Sequence, residues 1–266
     1  MLYGPHKERV WEPNTALLLE LLAHRGRHFL VAGGHVGYFP LLLATRVNNC
    51  GGTVHTFEPN DRERGRLERN VTANNLDNVT VDSRALYSRS NELAAFHSDD
   101  VNVCSSLIVE GVRGTKKQVL TVRIDDYCSS IGLPSMDGII LDIEGGEPEA
   151  IYGCQRLLEQ PSNLAPDIVL ELVPGRRSEA VQNTLLRHLL DFGYRLYVIE
   201  DAYDYDVSGD RLDDRVMLHE MSDPTTNNVA RIRAKLGLPD PNIFATKRGV
   251  ARFGRSVAVI AGDSVL

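Results

Sequence analysis

Two stretches of the chain combine residues that could hold a nucleoside. The segment HFLVAGGHVGYFP, residues 28–40, is an apolar strand pattern that runs into a turn with Gly33, Gly34 and Gly37. Glycines let the backbone turn tightly and approach a ligand, and the following helix offers unpaired N–H groups. Glu58 ends the next predicted strand, where its carboxylate could accept hydrogen bonds from both ribose hydroxyls. A tight strand–helix junction with Glu58 as a helix-capping acid would give the same pattern.

A third stretch, ILDIEGGEPEAI, gathers acids at a predicted strand-to-helix turn. Asp142 and Glu144 lie on one face if the strand stays extended that far. Glu147 and Glu149 flank a proline that suits a first helical turn, where acids interact favourably with the helix dipole. The apolar neighbours of Asp142 need no carboxylate, so we predict a functional role for Asp142, as a catalytic base or in orienting an acceptor, with Glu144 and Glu147 as further candidates.

Metal and dinucleotide chemistry are weaker alternatives. Asp142 and Glu171, at the tip of a later strand, could ligate Mg²⁺, but no spacing requires a metal and we predict none. The histidines show no H-E-x-x-H pair, so no zinc site is indicated. A nicotinamide site needs the order G-x-G-x-x-G, whereas this loop reads Gly-Gly-x-x-Gly, which disfavours a dinucleotide.

Alternating strands and helices must position these residues. Short apolar strands alternate with helices of about ten to fifteen residues, which predicts βαβ units around a parallel sheet. We predict a helix over residues 14–25, a β-rich excursion without a clear helix over 86–130, and a C-terminal extension over 249–266. The apolar SVAVIAG of that extension is a candidate edge strand, and NVARIRAKLG, after an acidic loop, a candidate helix. No linker composition divides the chain, so we predict one domain over residues 1–266.

The composition excludes several classes of partner. The net charge of −7 and the lack of a basic tract disfavour nucleic acid. No apolar run approaches the ~20 residues that span a bilayer, and the N-terminus lacks the apolar core of a signal peptide. The four cysteines form no C-x-x-C pair. We therefore predict a cytoplasmic protein with reduced thiols, a small-molecule substrate and no membrane partner, with a homodimer possible through the apolar tail.

The order of the motifs resembles that of a known family. WEPNTALLLELLAHRGRHFLVAGGHVGYFPLLLA, VHTFEPND, NNLDNVTVDSRALYS, CSSLIV, VRIDDY, GIILDIEGGEPEAI and IVLELVP occur in the order and spacing of FkbM-family methyltransferases. The resemblance covers roughly residues 10–175. It implies the class I methyltransferase fold, an α/β Rossmann-like fold whose seven-stranded, mostly parallel sheet has its last strand antiparallel and helices on both faces. It also implies S-adenosylmethionine as cofactor and hydroxyls of sugars or natural products as acceptors.

The resemblance also implies roles for individual residues. Ser83 and Ala85 would lie by the adenine, Glu58 would hold the ribose, and Asp142 would sit near the transferred methyl group. Ser105 and Ser106 could touch the substrate, although they could equally satisfy backbone groups of their own strand. The residues expected to contact the cofactor are Gly33, Gly34, His35, Gly37, Tyr38, Glu58, Pro59, Ser83, Ala85 and Asp142.

Three positions depart from the family pattern. The family usually has an acid at the position of Val31, an asparagine at that of His35 and a lysine at that of Ile140. We expect the missing acid to weaken cofactor binding without abolishing it, because Glu58 and the backbone donors remain. The alternative is a catalytically impaired binding or regulatory module that keeps the fold.

Overall fold

The computed structural model describes residues 9–98, 105–106, 115–173, 175–201, 205–206, 215–221, 223, 225, 229–232, 234 and 241–261. Its helices are α1 (Pro13–Ala23), α2 (Tyr38–Val47), α3 (Asp61–Ala73), α4 (Ile124–Ser130), α5 (Glu147–Tyr152), α6 (Gln155–Leu158) and α7 (Glu179–Asp191), with 3-10 turns at Asn48–Cys50 and Val250–Ser256. Its strands are β1 (Arg9–Val10), β2 (His28–Ala32), β3 (Thr53–Phe57), β4 (Val79–Asp82), β5 (Ala85–Leu86), β6 (Leu93–Ser98), β7 (Ser105–Ser106), β8 (Thr115–Val122), β9 (Gly138–Leu141), β10 (Asp167–Glu171), β11 (Arg195–Ile199), β12 (Tyr205–Asp206), β13 (Val216–Glu220), β14 (Asn242–Thr246) and β15 (Val257–Ile260).

The central sheet confirms the predicted Rossmann-like α/β class. Its described strands run in the order β15-β13-β11-β14-β10-β9-β2-β3-β4. Strands β4, β3, β2, β9 and β10 are mutually parallel, and β14 inserts antiparallel between β10 and β11. These seven strands are the predicted sheet with its last strand reversed.

Two further strands, β13 and β15, widen the described sheet to nine strands. The apolar tail segment forms β15 at the edge, as predicted. Strand β13 was missed: it pairs antiparallel with β11 and carries β15. Its five residues follow an acidic stretch that reads as a loop, and their burial comes from neighbouring strands that are distant in the chain.

Helices cover both faces of the sheet. Phe29 and Val31 of β2 pack on one face against α1, α2 and α3, while Leu30 and Ala32 pack on the other against α4 to α7. This alternation, with both sides buried, explains why β2 reads as an unbroken apolar run. The helix predicted over residues 14–25 lies at Pro13–Ala23.

The interpretation of residues 86–130 is partly wrong. Strands β5, β8, β6 and β7 do form a separate small sheet. The segment nevertheless ends in helix α4. We predicted no helix there, because the apolar start of the α4 sequence continues the preceding strand pattern. With Asp125 and Asp126 in its first turn, α4 is only seven residues long, too short for a clear helical periodicity.

The predicted helix after β9 is two short helices. Helices α5 and α6 are separated at Gly153, where a Cβ atom would lie 2.3 Å from the Tyr87 carbonyl oxygen. This close approach requires glycine and breaks the helix there. In the predicted helix NVARIRAKLG, residues 229–232 and 234 are helical, and the other positions lie outside the described residues.

The C-terminal extension contacts the sheet at the start of β10, opposite the edge at which the parallel strands end. Arg252 donates to a buried Asp167 carboxylate at 2.6 Å, and Arg248 lies 3.8 Å from the same group. Thr246 also donates to Asp167, at 2.6 Å. Among the described residues, no helix combines the length and apolar character needed to cross a membrane. One domain over residues 1–266 stays a prediction.

Candidate active site

A cavity of about 660 Å³ lies at the carboxyl ends of β2, β3, β9 and β10. This is the edge of an open α/β sheet at which ligands bind, and the volume lies within the roughly 300–1,000 Å³ range of small-molecule pockets. Nine of the predicted site residues line the cavity: Gly33, Gly34, His35, Tyr38, Glu58, Pro59, Ala85, Asp142 and Glu144. The strand tips therefore bring the glycine loop, Glu58 and Asp142 together, as the sequence predicted.

The glycine loop is held by the neighbouring strand. The N–H groups of Gly33 and Gly34 both donate to the Phe57 carbonyl, at 3.0 and 3.1 Å. Gly33 has φ +79°, and a Cβ atom there would lie 1.8 Å from the carbonyl oxygen of Asp142. Only glycine fits at this point, because the loop after β2 passes directly against the chain leaving β9.

The Glu58 carboxylate is fixed by backbone donors. His35 N–H donates to its Oε2 at 2.7 Å and Asn60 N–H to its Oε1 at 2.9 Å. The side chain is buried, and burial raises the pKa of Glu58 while the two backbone N–H groups act against that shift. A carboxylate has about four lone-pair sites, so each oxygen keeps capacity for a further donor. Glu58 thus matches a vicinal diol.

His35 occupies a left-handed conformation, with φ +43°. Its Nε2 lies 3.6 Å from Oε2 of Glu63, and burial lowers the pKa of His35, which keeps the ring neutral at neutral pH. Glu63 is itself buried, pairs with Arg66 at 3.1 Å and lines the cavity. Sequence reasoning missed Glu63, because an acid in the first turn of a highly charged helix gives no functional signal.

Asp142 lies in a different electrostatic environment. It directly follows β9, its N–H donates to the Ala32 carbonyl at 3.1 Å, and its side chain hydrogen bonds with Glu171. Burial, together with the nearby negative charges of Glu12 and Glu144, raises the pKa of Asp142 to about 8. At neutral pH its carboxyl group is therefore mainly protonated in the absence of a ligand.

Glu12 joins this acidic group and was not predicted. It precedes α1, lines the cavity and is 6% exposed. The side-chain amide of Asn242 donates to its Oε2 at 2.8 Å. Burial raises the pKa of Glu12 to about 8, and the charges of Asp201 and Glu171 add to that shift. An acid beside a proline at a helix start reads as a helix cap, which hid it in the sequence.

The two further catalytic candidates, Glu144 and Glu147, have different surroundings. Glu144 lines the cavity and forms an ion pair with Arg176 at 3.4 Å. Glu147 does not line it: its Oε1 accepts the N–H groups of Ile143 and Gly145 at 3.0 and 3.3 Å. Burial raises the pKa of Glu147 to about 7. Its carboxyl group braces the turn that carries Asp142.

Tyr38 and the other predicted residues fall into three groups. Tyr38 lies in the cavity wall, where its hydroxyl donates to the Trp11 carbonyl at 2.8 Å. Gly37 and Ser83 do not line the cavity, and Ser83 is exposed. The strand backbone of Ser105 and Ser106 pairs with β6, but their side chains lie outside the described residues.

Val31 lies in the hydrophobic core. It is fully buried in the core face that packs on α1 and α2, and it does not line the cavity. Its register partner across the β2–β9 pair is Ile140, which is another departure from the family pattern. Both positions therefore hold apolar side chains on neighbouring strands, and the expected weakening of cofactor binding stays a prediction.

Among the residues that the structure describes, no three His, Cys, Asp or Glu side chains are arranged to hold a metal ion.

A known protein family matches more than half of the chain. The model of the methyltransferase FkbM domain matches residues 23–196. No curated protein matches.

Several similar solved structures share little sequence with this chain. They include a methyltransferase FkbM from Methylobacillus flagellatus (14% identity, 83% of this chain and 43% of that one, TM-score 0.47) and an O-methyltransferase from Bacillus cereus in complex with S-adenosylhomocysteine (16%, 89% and 81%, 0.46). A third is the O-methyltransferase TomG from Streptomyces achromogenes, involved in tomaymycin synthesis, in complex with S-adenosylmethionine (13%, 88% and 80%, 0.48). The chain spans less than half of the Methylobacillus protein.

Proposed function

Because the chain belongs to the FkbM methyltransferase family, we propose that it transfers a methyl group from S-adenosylmethionine to a hydroxyl oxygen of a small molecule, such as a sugar or a natural product. The observation that carries the proposal is one cavity that the glycine loop, Glu58 and Asp142 line together. Residues that could bind a nucleoside and a candidate base thus line the same cavity.

The residues of the cavity suit this cofactor. Glu58 keeps two acceptor positions for the ribose hydroxyls after accepting from His35 and Asn60. The buried, apolar Ala85, Leu86 and Phe96 offer a wall for an aromatic base. The predominance of acids in the cavity favours a positively charged ligand. We propose that Gly33, Gly34 and His35 complete the cofactor-binding set.

The chemistry requires little of the protein beyond alignment and proton transfer. When bound, S-adenosylmethionine would supply a methyl group already activated by a positively charged sulfur. The chain's own task is to hold the acceptor hydroxyl in line and to take its proton. We propose Asp142 as the proton acceptor, with Glu171 as its hydrogen-bonding partner. Glu144, ion-paired with Arg176, would help to shape the acceptor side.

Calorimetry tests the proposal. The protein is titrated with S-adenosylmethionine, with its demethylated product S-adenosylhomocysteine and with NADH. We expect saturable heat with the first two ligands and none with NADH. Absence of heat with both sulfur ligands at millimolar concentration would contradict the function, and binding of NADH alone would point to an oxidoreductase. Transfer of a labelled methyl group to candidate sugars and natural products then tests turnover.

A further inference from the structure

Glu12 occupies a helix-cap position without acting as a cap. It is the residue before α1, yet its side chain makes no capping hydrogen bond. Asp201, at the end of β11, caps the helix instead: its Oδ2 accepts Thr15 N–H at 2.7 Å and its Oδ1 accepts Asn14 N–H at 3.2 Å. Helix α1 therefore does not need a carboxyl group at position 12.

The Glu12 side chain is instead held at the cavity. The Asn242 side-chain amide donates to Glu12 at 2.8 Å, and the same amide also donates to the Thr15 hydroxyl at 3.2 Å. The Trp11 side chain makes a further hydrogen bond to Glu12. The backbone of Glu12 is left-handed, with φ 44° and ψ 64°, which non-glycine residues adopt only under constraint. The surroundings thus fix a buried carboxyl group at the wall of the cavity.

When ionised, the carboxyl groups around Glu12 favour a cationic ligand. Its carboxyl group and that of Asp142 interact with each other and with Glu171. Of the described residues that line the cavity, the basic ones are Arg176, which pairs with Glu144, and His35, which lies in the glycine loop beside Glu63. Neither balances the charge of Glu12 and Asp142 when both are ionised.

We propose that Glu12 binds the acceptor, and that the acceptor carries a protonated amine next to the hydroxyl that is methylated. This inference rests on the proposed methyl transfer. An ammonium group has three donors and a full positive charge, so it can bridge Glu12 and Glu171 while the neighbouring hydroxyl faces Asp142. The Trp11 and Tyr38 rings at the same wall add faces that attract a cation.

Binding of a cationic acceptor would also favour the form of Asp142 that can accept a proton. Burial and the neighbouring acids favour the protonated form of Asp142, and a protonated carboxyl cannot accept a proton. A positive charge between the carboxyl groups favours their ionised forms and lowers their pKa values. Acceptor binding should therefore release protons and leave Asp142 as a carboxylate. A neutral polyol would lack this effect.

Two matched fragments test the inference. The protein is first saturated with S-adenosylhomocysteine, whose sulfur is uncharged, and then titrated with serinol or with glycerol, which differ by an amine in place of one hydroxyl. We expect serinol to bind at least about tenfold more tightly than glycerol, since charge-assisted hydrogen bonds replace neutral ones. Its binding heat should differ between phosphate and MOPS buffers, because protons are released.

Variants separate the role of Glu12 from a purely structural one. Glu12→Gln should reduce the preference for serinol to less than about threefold and remove the buffer dependence, and Glu12→Asp should regain part of both. Glu220→Gln, which alters an exposed ion pair with Arg195, should keep the full preference.

Equal binding of the two fragments to the wild type, no serinol binding at high millimolar concentration, or a preference that survives in Glu12→Gln would overturn the inference. Failure of S-adenosylhomocysteine to bind would instead count against the proposed function, and the fragments are then compared on the unloaded protein.

Discussion

Buried carboxyl groups have different surroundings on two sides of the cavity. On the side of β3, Glu58 accepts two backbone N–H groups, from His35 and Asn60, which oppose the rise in its pKa that burial causes. On the side of β9 and β10 (the acidic side), Asp142 and Glu12 interact with each other, and burial raises the pKa of each to about 8. Glu58 is held by fixed backbone donors, whereas the raised pKa values favour the protonated forms of Asp142 and Glu12.

This difference indicates a division of labour. A side whose hydrogen bonds come from the fixed backbone can recognise the same nucleoside in every turnover. A side whose charge depends on proton occupancy responds to the chemistry of the incoming molecule. Variants of each side should therefore change different measurements, and the predictions below are ordered from the largest expected effect to the smallest.

Val31, in the strand that carries the glycine loop, gives the largest predicted change in stability. Val31→Asp would place an unpaired charge in a buried position and should lower the free energy of unfolding by roughly 3–5 kcal/mol. Adding Ile140→Lys on the facing strand should recover a substantial part of that loss, because the two residues are register partners. Urea denaturation of both single variants and the double variant measures the coupling; strictly additive losses would show that positions 31 and 140 do not interact.

The close approach of the glycine loop to the chain after β9 predicts the next largest loss of stability. Gly33→Ala would bring a Cβ atom into the Asp142 carbonyl and should cost about 3 kcal/mol of stability. Gly51→Ala is the matched control: Gly51 also has a positive φ, but nothing lies within 4 Å of the added atom. It should cost only about 1–2 kcal/mol. Equal losses in the two variants would mean that the loop can move away from β9.

The acidic side predicts a pH dependence of stability. A carboxyl group whose pKa is raised by folding stabilises the folded state below its unfolded pKa, and this stabilisation is lost as pH rises through the folded pKa. For Glu12 the window runs from about 4.5 to about 8. Thermal unfolding of the ligand-free protein should therefore shift to lower temperature across that window. Glu12→Gln should flatten the curve and Glu220→Gln should not. A Glu12→Gln curve parallel to the wild type would contradict the shift.

The strand tips were predictable from the sequence because local pattern determines them. An apolar run followed by glycines, and a second run followed by Glu58, place both features at the same edge of a parallel sheet whatever the rest of the chain does. Asp142 follows from the same argument one strand further on. The roles of these residues in cofactor binding and catalysis stay predictions.

Glu12 was not predictable because the residues that hold it come from distant parts of the chain. It is brought to the cavity by contacts with Asn242 and by the cap from Asp201, 230 and about 190 residues away. The pairing of Val31 with Ile140 was missed for a related reason. The alternation along β2 places Val31 on a core face, but only the strand register reveals that Ile140 faces it.

The most direct test of the division between the two sides is the affinity for S-adenosylhomocysteine, measured by calorimetry in the wild type, Glu58→Gln and Glu12→Gln. Loss of the Glu58 charge should weaken binding about tenfold, because the ribose hydroxyls lose a charged acceptor. Glu12→Gln should bind this ligand within about twofold of the wild type, since Glu12 belongs to the acceptor side. Wild-type affinity in Glu58→Gln, or an equal loss in both variants, would contradict the account.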